Sequence, residues 1–229
     1  SMSLDDIEIY NGVTSADDIT SIPDKSTNSI SVVVPTDSIP DDIQPDTLAV
    51  YYDFSELTGN FQNKATGTGA LAGQITGYGG SIDRNIPRDD DIGIHFDGND
   101  YVFASTHTSQ WTFMTHSSQT FSFTFWAKLD SSTADYERFF ANCKDSSTRG
   151  IYVMTASNNR MGIGTAYGGA TEIFSGNNYL LKDGQWHQYT VTNDKSSASD
   201  AVKYYRDGDL HSSSAKNSNY WNSAPYSNL

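Results

Sequence analysis

The sequence predicts an all-β protein made of two packed antiparallel sheets, preceded by an extended acidic N-terminal segment. Aromatic or aliphatic side chains recur at every second position in short segments between Phe96 and Gly208, and tight Asp-Gly pairs separate several of them. No helical period extends beyond one turn. Alternation of this kind buries one face of each strand, so we expect a sandwich with its core between the sheets.

Eleven strands are predicted, separated by loops rich in Gly, Ser, Asn and Asp. In the segment 120–129, Phe121, Phe123 and Phe125 share one face, which we assign to the core. The longest loops are expected at residues 79–92 and 104–119, where recognition is most readily accommodated. The predicted strands are 48–54, 75–78, 93–96, 101–104, 120–129, 138–142, 150–155, 160–165, 171–174, 185–193 and 202–206.

The composition excludes several classes of binding partner. The 229-residue chain has a formal net charge of −14, and it has no cluster of Lys and Arg of the kind that binds nucleic acid. No apolar run approaches the roughly 20 residues that span a bilayer, so no membrane span is expected. Cys143 is the single cysteine, which excludes an internal disulfide.

The charge is unevenly distributed along the sequence, which predicts that the chain has two regions. Residues 1–46 hold ten acidic residues and one lysine, and four prolines interrupt them, so we interpret this region as an acidic linker or tether. A linker is favoured for residues 1–25. Residues 29–34 are predicted to form an edge strand, added either to this domain or to a neighbouring chain. Residues 47–229 are predicted to form the sandwich domain.

From about Leu48 onward, five motifs in order resemble the laminin G-like jelly roll, within the wider concanavalin A-like lectin and glucanase superfamily. No single motif is specific for this family, but the occurrence of all five in the family's order over most of the domain is specific. The motifs are Tyr51-Tyr52-Asp53-Phe54, Ile94-His95-Phe96-Asp97-Gly98-Asn99-Asp100-Tyr101-Val102, the segment 120–129, Asp183-Gly184-Gln185-Trp186-His187 and Tyr204-Tyr205-Arg206-Asp207-Gly208.

The resemblance also implies a departure at the C-terminal end. Members of the family continue past the Tyr-x-Asp-Gly hairpin with further strands that pair beside the first strand. Here 21 residues follow Gly208, so we expect the last one or two strands to be missing. Their loss would leave an open edge along residues 48–54, which the segment 29–34 would partly fill.

Catalysis is not expected, although some relatives are glucanases. Retaining glycosidases of this fold carry Glu-x-Asp-x-x-Glu on one strand, which places two carboxylates about 5 Å apart. The four glutamates, Glu8, Glu56, Glu137 and Glu172, are isolated from such a pattern. The five histidines show no zinc-binding spacing, and no catalytic serine elbow occurs. His187 is expected to be a structural, hydrogen-bonded ring.

The resemblance further implies a calcium ion. Carried over to this sequence, the candidate ligands are Asp53 and Asn63 near the first strand and Asp97 and Asp100 near an Asp-Gly turn. Calcium requires six to eight oxygen ligands, some of which backbone carbonyls supply. The alternative is that Asp97 and Asp100 only stabilise the turn.

Sugar binding requires exposed rings that stack on a pyranose and amides that bind its hydroxyls. Aromatic residues in polar loops are the candidates, in the contexts Ser-Gln-Trp-Thr, Ala-Tyr-Gly-Gly and Asn-Tyr-Trp-Asn. Ordinary packing of these rings on the sheet is the alternative. The predicted ligand-binding residues are Trp111, Tyr167, Asn219, Tyr220 and Trp221. Trp126 and Trp186, which lie in strand patterns, are assigned to the core.

The favoured interpretation is a non-catalytic recognition or adhesion module that binds a glycan or a protein surface, with calcium as a candidate cofactor. It would belong to a larger protein that is extracellular, on a cell surface or in a virion. The alternative is a structural interaction domain of a phage virion or bacterial surface assembly, with strand exchange or edge-strand contact with a neighbouring chain. A glycoside hydrolase is the least favoured interpretation.

Overall fold

A computed structural model describes residues 2–10, 48–66, 74–79, 82–88, 91–104, 120–141, 150–166, 171–180, 182–194 and 197–215. These residues form strands and turns, and no helix occurs among them. The prediction of an all-β antiparallel sandwich is therefore confirmed. In the described part of the chain, nothing has the helical length and apolarity needed to cross a bilayer.

All eleven predicted strands are present, with small changes in their bounds. The strands of the described residues are β1 (Met2–Tyr10), β2 (Leu48–Tyr52), β3 (Phe61–Gln62), β4 (Gln74–Gly79), β5 (Asp83–Arg88), β6 (Asp91–Phe96), β7 (Tyr101–Ala104), β8 (Phe121–Leu129), β9 (Arg138–Ala141), β10 (Gly150–Ala156), β11 (Arg160–Ala166), β12 (Thr171–Phe174), β13 (Trp186–Asn193), β14 (Val202–Arg206) and β15 (Asp209–Ser214).

The described strands form a large sheet and two smaller ones. The large sheet has the order β15-β14-β13-β8-β1-β6-β5, and β2 pairs with β1 beside it. The four-stranded sheet has the order β12-β11-β10-β9, and the three-stranded sheet has the order β3-β4-β7. All the pairings are antiparallel, as expected for strands joined by hairpins and loops.

One continuous core lies on the inner face of the large sheet. Phe121, Phe123 and Phe125 are each at most 3% exposed, which confirms the face assigned to them. Phe125 meets Phe139 of the four-stranded sheet with ring centroids 4.8 Å apart. Phe61 of the three-stranded sheet belongs to the same cluster, so both smaller sheets cover this face. Aromatic burial between two layers is the main stabilisation available to such a fold.

The first strand corrects the prediction for the N-terminal region. The assignment of residues 1–25 to a linker is wrong for Met2–Tyr10, which forms β1 in the middle of the large sheet. Met2, Leu4 and Ile9 are buried in the core, and a register shift between Asp5 and Glu8 moves the core-facing positions from even to odd residues. Residues 7–10 have a β-like pattern, but the acidic composition of the region favoured a linker. Residues 11–47 lie outside the described residues, and with them the predicted edge strand 29–34.

β1 also closes the edge that was expected to be open. One side of β1 pairs with β8, and its other side pairs with β6 through Met2–Leu4 and with β2 through residues 7–10. A strand from the N-terminal region thus lies in the predicted gap beside residues 48–54, and this strand is β1. The C-terminal residues 216–229, on which the expectation of missing strands depends, lie outside the described residues.

The predicted loop at residues 79–92 is wrong in part, because β5 and the first two residues of β6 lie within it. β5 escaped prediction because it is an edge strand that contains Pro87, and prolines are tolerated only at edges. β15 is the opposite edge and is equally polar. The turn before it is well encoded: Asp207 and Gly208 both have positive φ, as a two-residue hairpin requires.

Candidate functional site

Two of the predicted calcium ligands, Asp53 and Asn63, use their side-chain oxygens in hydrogen bonds within the protein. The Asp53 carboxylate is 2% exposed and accepts a hydrogen bond from Lys64 Nζ at 2.6 Å. Asn63 Oδ1 accepts hydrogen bonds from the backbone N–H groups of Tyr51 and Ala65, and its Nδ2 donates to the Ala49 carbonyl. These contacts fasten the chain after β3 to β2, so the pair does not fit a cation site.

Asp97 and Asp100 lie in the turn between β6 and β7. Asp97 Oδ1 accepts from the Asn99 N–H at 2.9 Å, and Asp100 Oδ2 accepts from the Asp97 N–H at 3.0 Å. Gly98, with φ of +108°, makes this turn possible. The alternative of turn-stabilising carboxylates is therefore observed. Among the described residues, no three His, Cys, Asp or Glu side chains are grouped so as to hold a metal ion.

A buried ionic cluster lies where β1 passes from β6 to β2. Arg88 is 2% exposed and Asp5 is fully buried, and Arg88 Nε donates to Asp5 Oδ2 at 2.6 Å. Arg88 Nη2 donates to Asp6 Oδ2 at 2.5 Å. The guanidinium also lies 4.6 Å from the centre of the Trp126 ring on β8. One arginine therefore binds two carboxylates and links β1 to β5 and to β8.

Glu8 lies further along β1, with its side chain on the outer face of the large sheet. It is 3% exposed, and the Tyr10 hydroxyl donates to its Oε2 at 2.6 Å. Burial raises the pKa of Glu8 to about 8; the hydrogen bond from Tyr10 opposes the rise, and the charge of Asp6 adds to it. A carboxyl with this pKa holds its proton at neutral pH, so Glu8 is a neutral, structural side chain there.

The outer face of the large sheet is polar and aromatic, and much of it is buried. Trp126 and Trp186 lie half-buried on it, so their assignment to the core is wrong. Trp186 Nε1 donates to the Pro87 carbonyl at 3.0 Å, which links β13 to β5 across the sheet. The small polar side chains that share this face are Ser122, Thr124, Gln188, Thr190 and Thr192.

His187 is hydrogen-bonded as predicted. Its Nδ1 lies 2.8 Å from Asp207 Oδ2, and its Nε2 lies 3.3 Å from Asp183 Oδ2. The hydrogen bond with Asp207 raises the pKa of His187 above its ordinary value, against the opposing effect of partial burial. The ring thus joins the turn before β13 to the turn after β14.

Exposed aromatic rings are the groups through which such a surface binds sugars. Among the described residues, the large apolar side chains that are most exposed are Leu57, Tyr101, Tyr136 and Leu210, at 56–58%. Tyr101 begins β7 beside the Asp97–Asp100 turn. Tyr136 lies in the loop before β9 with φ of +70°, which is unusual for a bulky side chain. Motif reasoning missed Tyr136, because no sequence pattern marks it.

A laminin G family model, described as the concanavalin A-like lectin/glucanases superfamily, matches residues 94–228, more than half of the chain. The chain belongs to this superfamily. Neither a curated protein nor a solved structure matches the chain. The matched segment includes the second half of β6 and all of β7 to β15, and so contains four whole strands of the large sheet and the whole four-stranded sheet.

Membership of the superfamily supports a carbohydrate-binding or adhesion-type module at the coarse level. Laminin G-like domains are generally non-catalytic and typically extracellular, although the superfamily includes glycosidases. The predicted ligand-binding residues Trp111, Tyr167, Asn219, Tyr220 and Trp221 all lie outside the described residues. The ionic cluster of β1 was not predicted either, since Arg88 is more than 80 residues from Asp5 and Asp6 in the chain.

Proposed function

We propose that this chain is a non-catalytic recognition module that binds glycan as part of a larger surface or assembly protein. The observation that carries the proposal is the superfamily match over residues 94–228. The sequence adds aromatic residues in polar loops, of which the pair Tyr220-Trp221 is flanked by Asn219 and Asn222. Rings for stacking, beside amides for hydroxyl groups, are the groups that neutral sugars require.

A glycan array followed by calorimetry tests the proposal. We expect the protein to capture at least one class of oligosaccharide, and the variant Trp221→Ala to lose about 1 kcal/mol or more of binding free energy. Leu57→Ala is the matched control, because Leu57 is an exposed apolar residue in a different loop. An array without captured glycan, for protein with an intact fold, would exclude the proposal.

Calcium remains part of the proposal only at the β6–β7 turn. Asp97 is exposed there, whereas Asp53 is bound to Lys64. When bound, calcium would neutralise the carboxylates of this turn and order it. Calorimetric titration with calcium chloride, repeated on Asp97→Asn, tests this: heat that the variant retains in full would exclude the turn as the site.

A second candidate function, as an interaction domain of an assembly, is favoured by β1. This strand is central to the large sheet, yet residues 11–47 separate it from β2. Fully extended, 37 residues reach roughly 120 Å, which is enough for the same strand to enter a neighbouring molecule. Sedimentation after refolding at low and at high concentration discriminates: stable dimers formed only at high concentration would support exchange, and monomers throughout would exclude it.

Glycoside hydrolysis is the least supported function. Glu8 has the raised pKa of a general acid, but at 3% exposure and bonded to Tyr10 it is not presented to a ligand. The Asp5 and Asp6 carboxylates are bound to Arg88. Hydrolysis of a β-glucan that Glu8→Gln abolishes would overturn this assignment.

A further inference from the structure

Three loops meet at one end of the four-stranded sheet, and we call them the three-loop end: residues 130–137, 157–159 and 175–180. The Tyr136 N–H donates to the Thr155 carbonyl at 3.0 Å, which ties the first loop to the base of the β10–β11 hairpin. The Asn178 N–H donates to the Asn158 carbonyl at 3.1 Å on the other side of the same hairpin. The three loops are therefore neighbours in one hydrogen-bonded arrangement.

Side chains hold this arrangement rigid. The Thr155 hydroxyl donates to the Ala134 carbonyl and accepts from the Glu137 N–H, both at 3.0 Å. Lys182 Nζ donates to the Thr133 carbonyl at 2.7 Å and to Asp135 Oδ1 at 3.1 Å. The loop that carries Tyr136 is thus fastened at both ends. A surface fixed before binding loses little conformational entropy when a ligand arrives.

Tyr136 is held in a conformation that its own residue type disfavours. Its φ is +70°, and its side chain is 58% exposed, so no core packing compensates the backbone strain. Asn158, Asn159 and Asn178 also have positive φ, but asparagine tolerates it and is common in such turns. Turn formation therefore explains the positive φ of the asparagines, but it does not explain the positive φ of the tyrosine.

The exposed polar residues of the three loops are three asparagines, two serines and Asp135. Within the described part of the chain, the side chains of Asn158, Asn177 and Asn178 are exposed and make no hydrogen bond, and neither does the Tyr136 hydroxyl. Lys182 pairs with Asp135, and Asp130 and Glu137 add two further acidic residues to the first loop. Across a four-stranded sheet the loops extend over roughly 14 Å, given the spacing of neighbouring strands.

We propose that the three-loop end is a glycan-binding surface for neutral oligosaccharides, with Tyr136 as the ring that stacks on a sugar and Asn158, Asn177 and Asn178 as the amides that bind its hydroxyls. This proposal rests on the proposed function and adds a site to it. The ring and the unused amides suit a neutral sugar, and the acidic residues of these loops disfavour an anionic ligand.

Binding of array-selected glycans to matched variants tests the site. We expect Tyr136→Ala to raise the Kd about tenfold, the usual contribution of one stacked ring, and Tyr136→Phe to change it much less. Tyr101→Ala is the control, because Tyr101 is exposed to the same 58% but lies on β7 of the three-stranded sheet. Tyr136→Gly is expected to weaken the same binding as much as Tyr136→Ala while raising the Tm, since glycine accepts positive φ.

The outcomes separate this site from the proposed function. Glycan bound by the unaltered protein and by Tyr136→Ala with equal Kd, but lost in Trp221→Ala, overturns the three-loop end and leaves the recognition function intact. A protein that captures no glycan overturns both. A Tm lowered by Tyr136→Gly would show that the tyrosine is there for stability, and would also overturn the site.

Discussion

Tyr189 and Tyr204 are two fully buried tyrosines on neighbouring strands that differ in what their hydroxyls contact. The Tyr204 hydroxyl donates to the Ile173 carbonyl at 2.5 Å and accepts from the Ile163 N–H at 3.3 Å, which joins the large sheet to the four-stranded sheet. The Tyr189 hydroxyl is buried without a hydrogen-bond partner. A buried polar group costs free energy unless it is paired.

Removing one oxygen from each ring is therefore expected to have opposite effects. Tyr204→Phe should lower the free energy of unfolding by about 1–2 kcal/mol, because two backbone groups lose their partner. Tyr189→Phe should leave it unchanged or raise it by up to about 1 kcal/mol, since only an unpaired hydroxyl is removed. Urea unfolding of both variants at equal m-value checks this. Equal destabilisation by the two changes would contradict it.

At the scale of elements, β1 depends on a charged side chain from β5. Replacing Arg88 by methionine would remove the ion pair of the buried Asp5 carboxylate, and we expect a loss of about 3–5 kcal/mol of unfolding free energy. Arg84→Met is the control on the same strand: Arg84 contacts the Glu56 and Gly59 carbonyls near the surface, so its loss should cost much less.

Adding Asp5→Asn to Arg88→Met should recover part of that loss, because the buried charge disappears with its partner. Urea unfolding of the single and double variants measures the coupling. Strictly additive effects of the two changes would contradict the ion pair as the anchor of β1.

The same strand shows how far sequence reasoning extends. β8 and β13 were predictable because their alternating rings and aliphatic residues face one core. In β1 the residues Asp5, Asp6 and Glu8 interrupt the apolar pattern. The pairing of Asp5 and Asp6 with Arg88, and the pKa that burial raises in Glu8, are tertiary effects. The edge strands β5 and β15 carry no such pattern because edges are selected to be polar.

For the candidate sites, sequence reasoning again predicted the contacts between residues of adjoining turns and missed those that only the tertiary fold brings together. His187 was correctly assigned a structural role, since both of its partners lie in the adjoining Asp-Gly turns. Tyr136 is positioned by backbone hydrogen bonds to β10, which no single-sequence pattern reports. Lys64 lies beside Asn63 in the chain, yet its ion pair with Asp53 across the turn became apparent only in the fold.

At the scale of the whole molecule, Glu8 and His187 make stability depend on pH in the same direction. Glu8 titrates at about 8 in the folded state, against 4.5 as its ordinary value, so the folded chain retains a proton that the unfolded chain releases. Stability from this group is complete below about 4.5 and is lost as the pH rises through 8. His187, with its raised pKa, contributes stability below 6.5 that is lost as the pH rises through its folded pKa.

We therefore expect the protein to be most stable near pH 5 and to lose stability, by an amount on the order of a few kcal/mol, up to pH 9. Glu8→Gln should match the unaltered protein near pH 5 and exceed it above pH 8, because glutamine mimics the protonated acid beside Tyr10, Asp6, Tyr51 and Thr124. Thermal unfolding across this range measures both profiles. A Tm difference between Glu8→Gln and the unaltered protein that is the same at every pH would exclude Glu8 as the titrating group. The variant His187→Asn then measures how much of the pH-dependent loss of stability the histidine contributes.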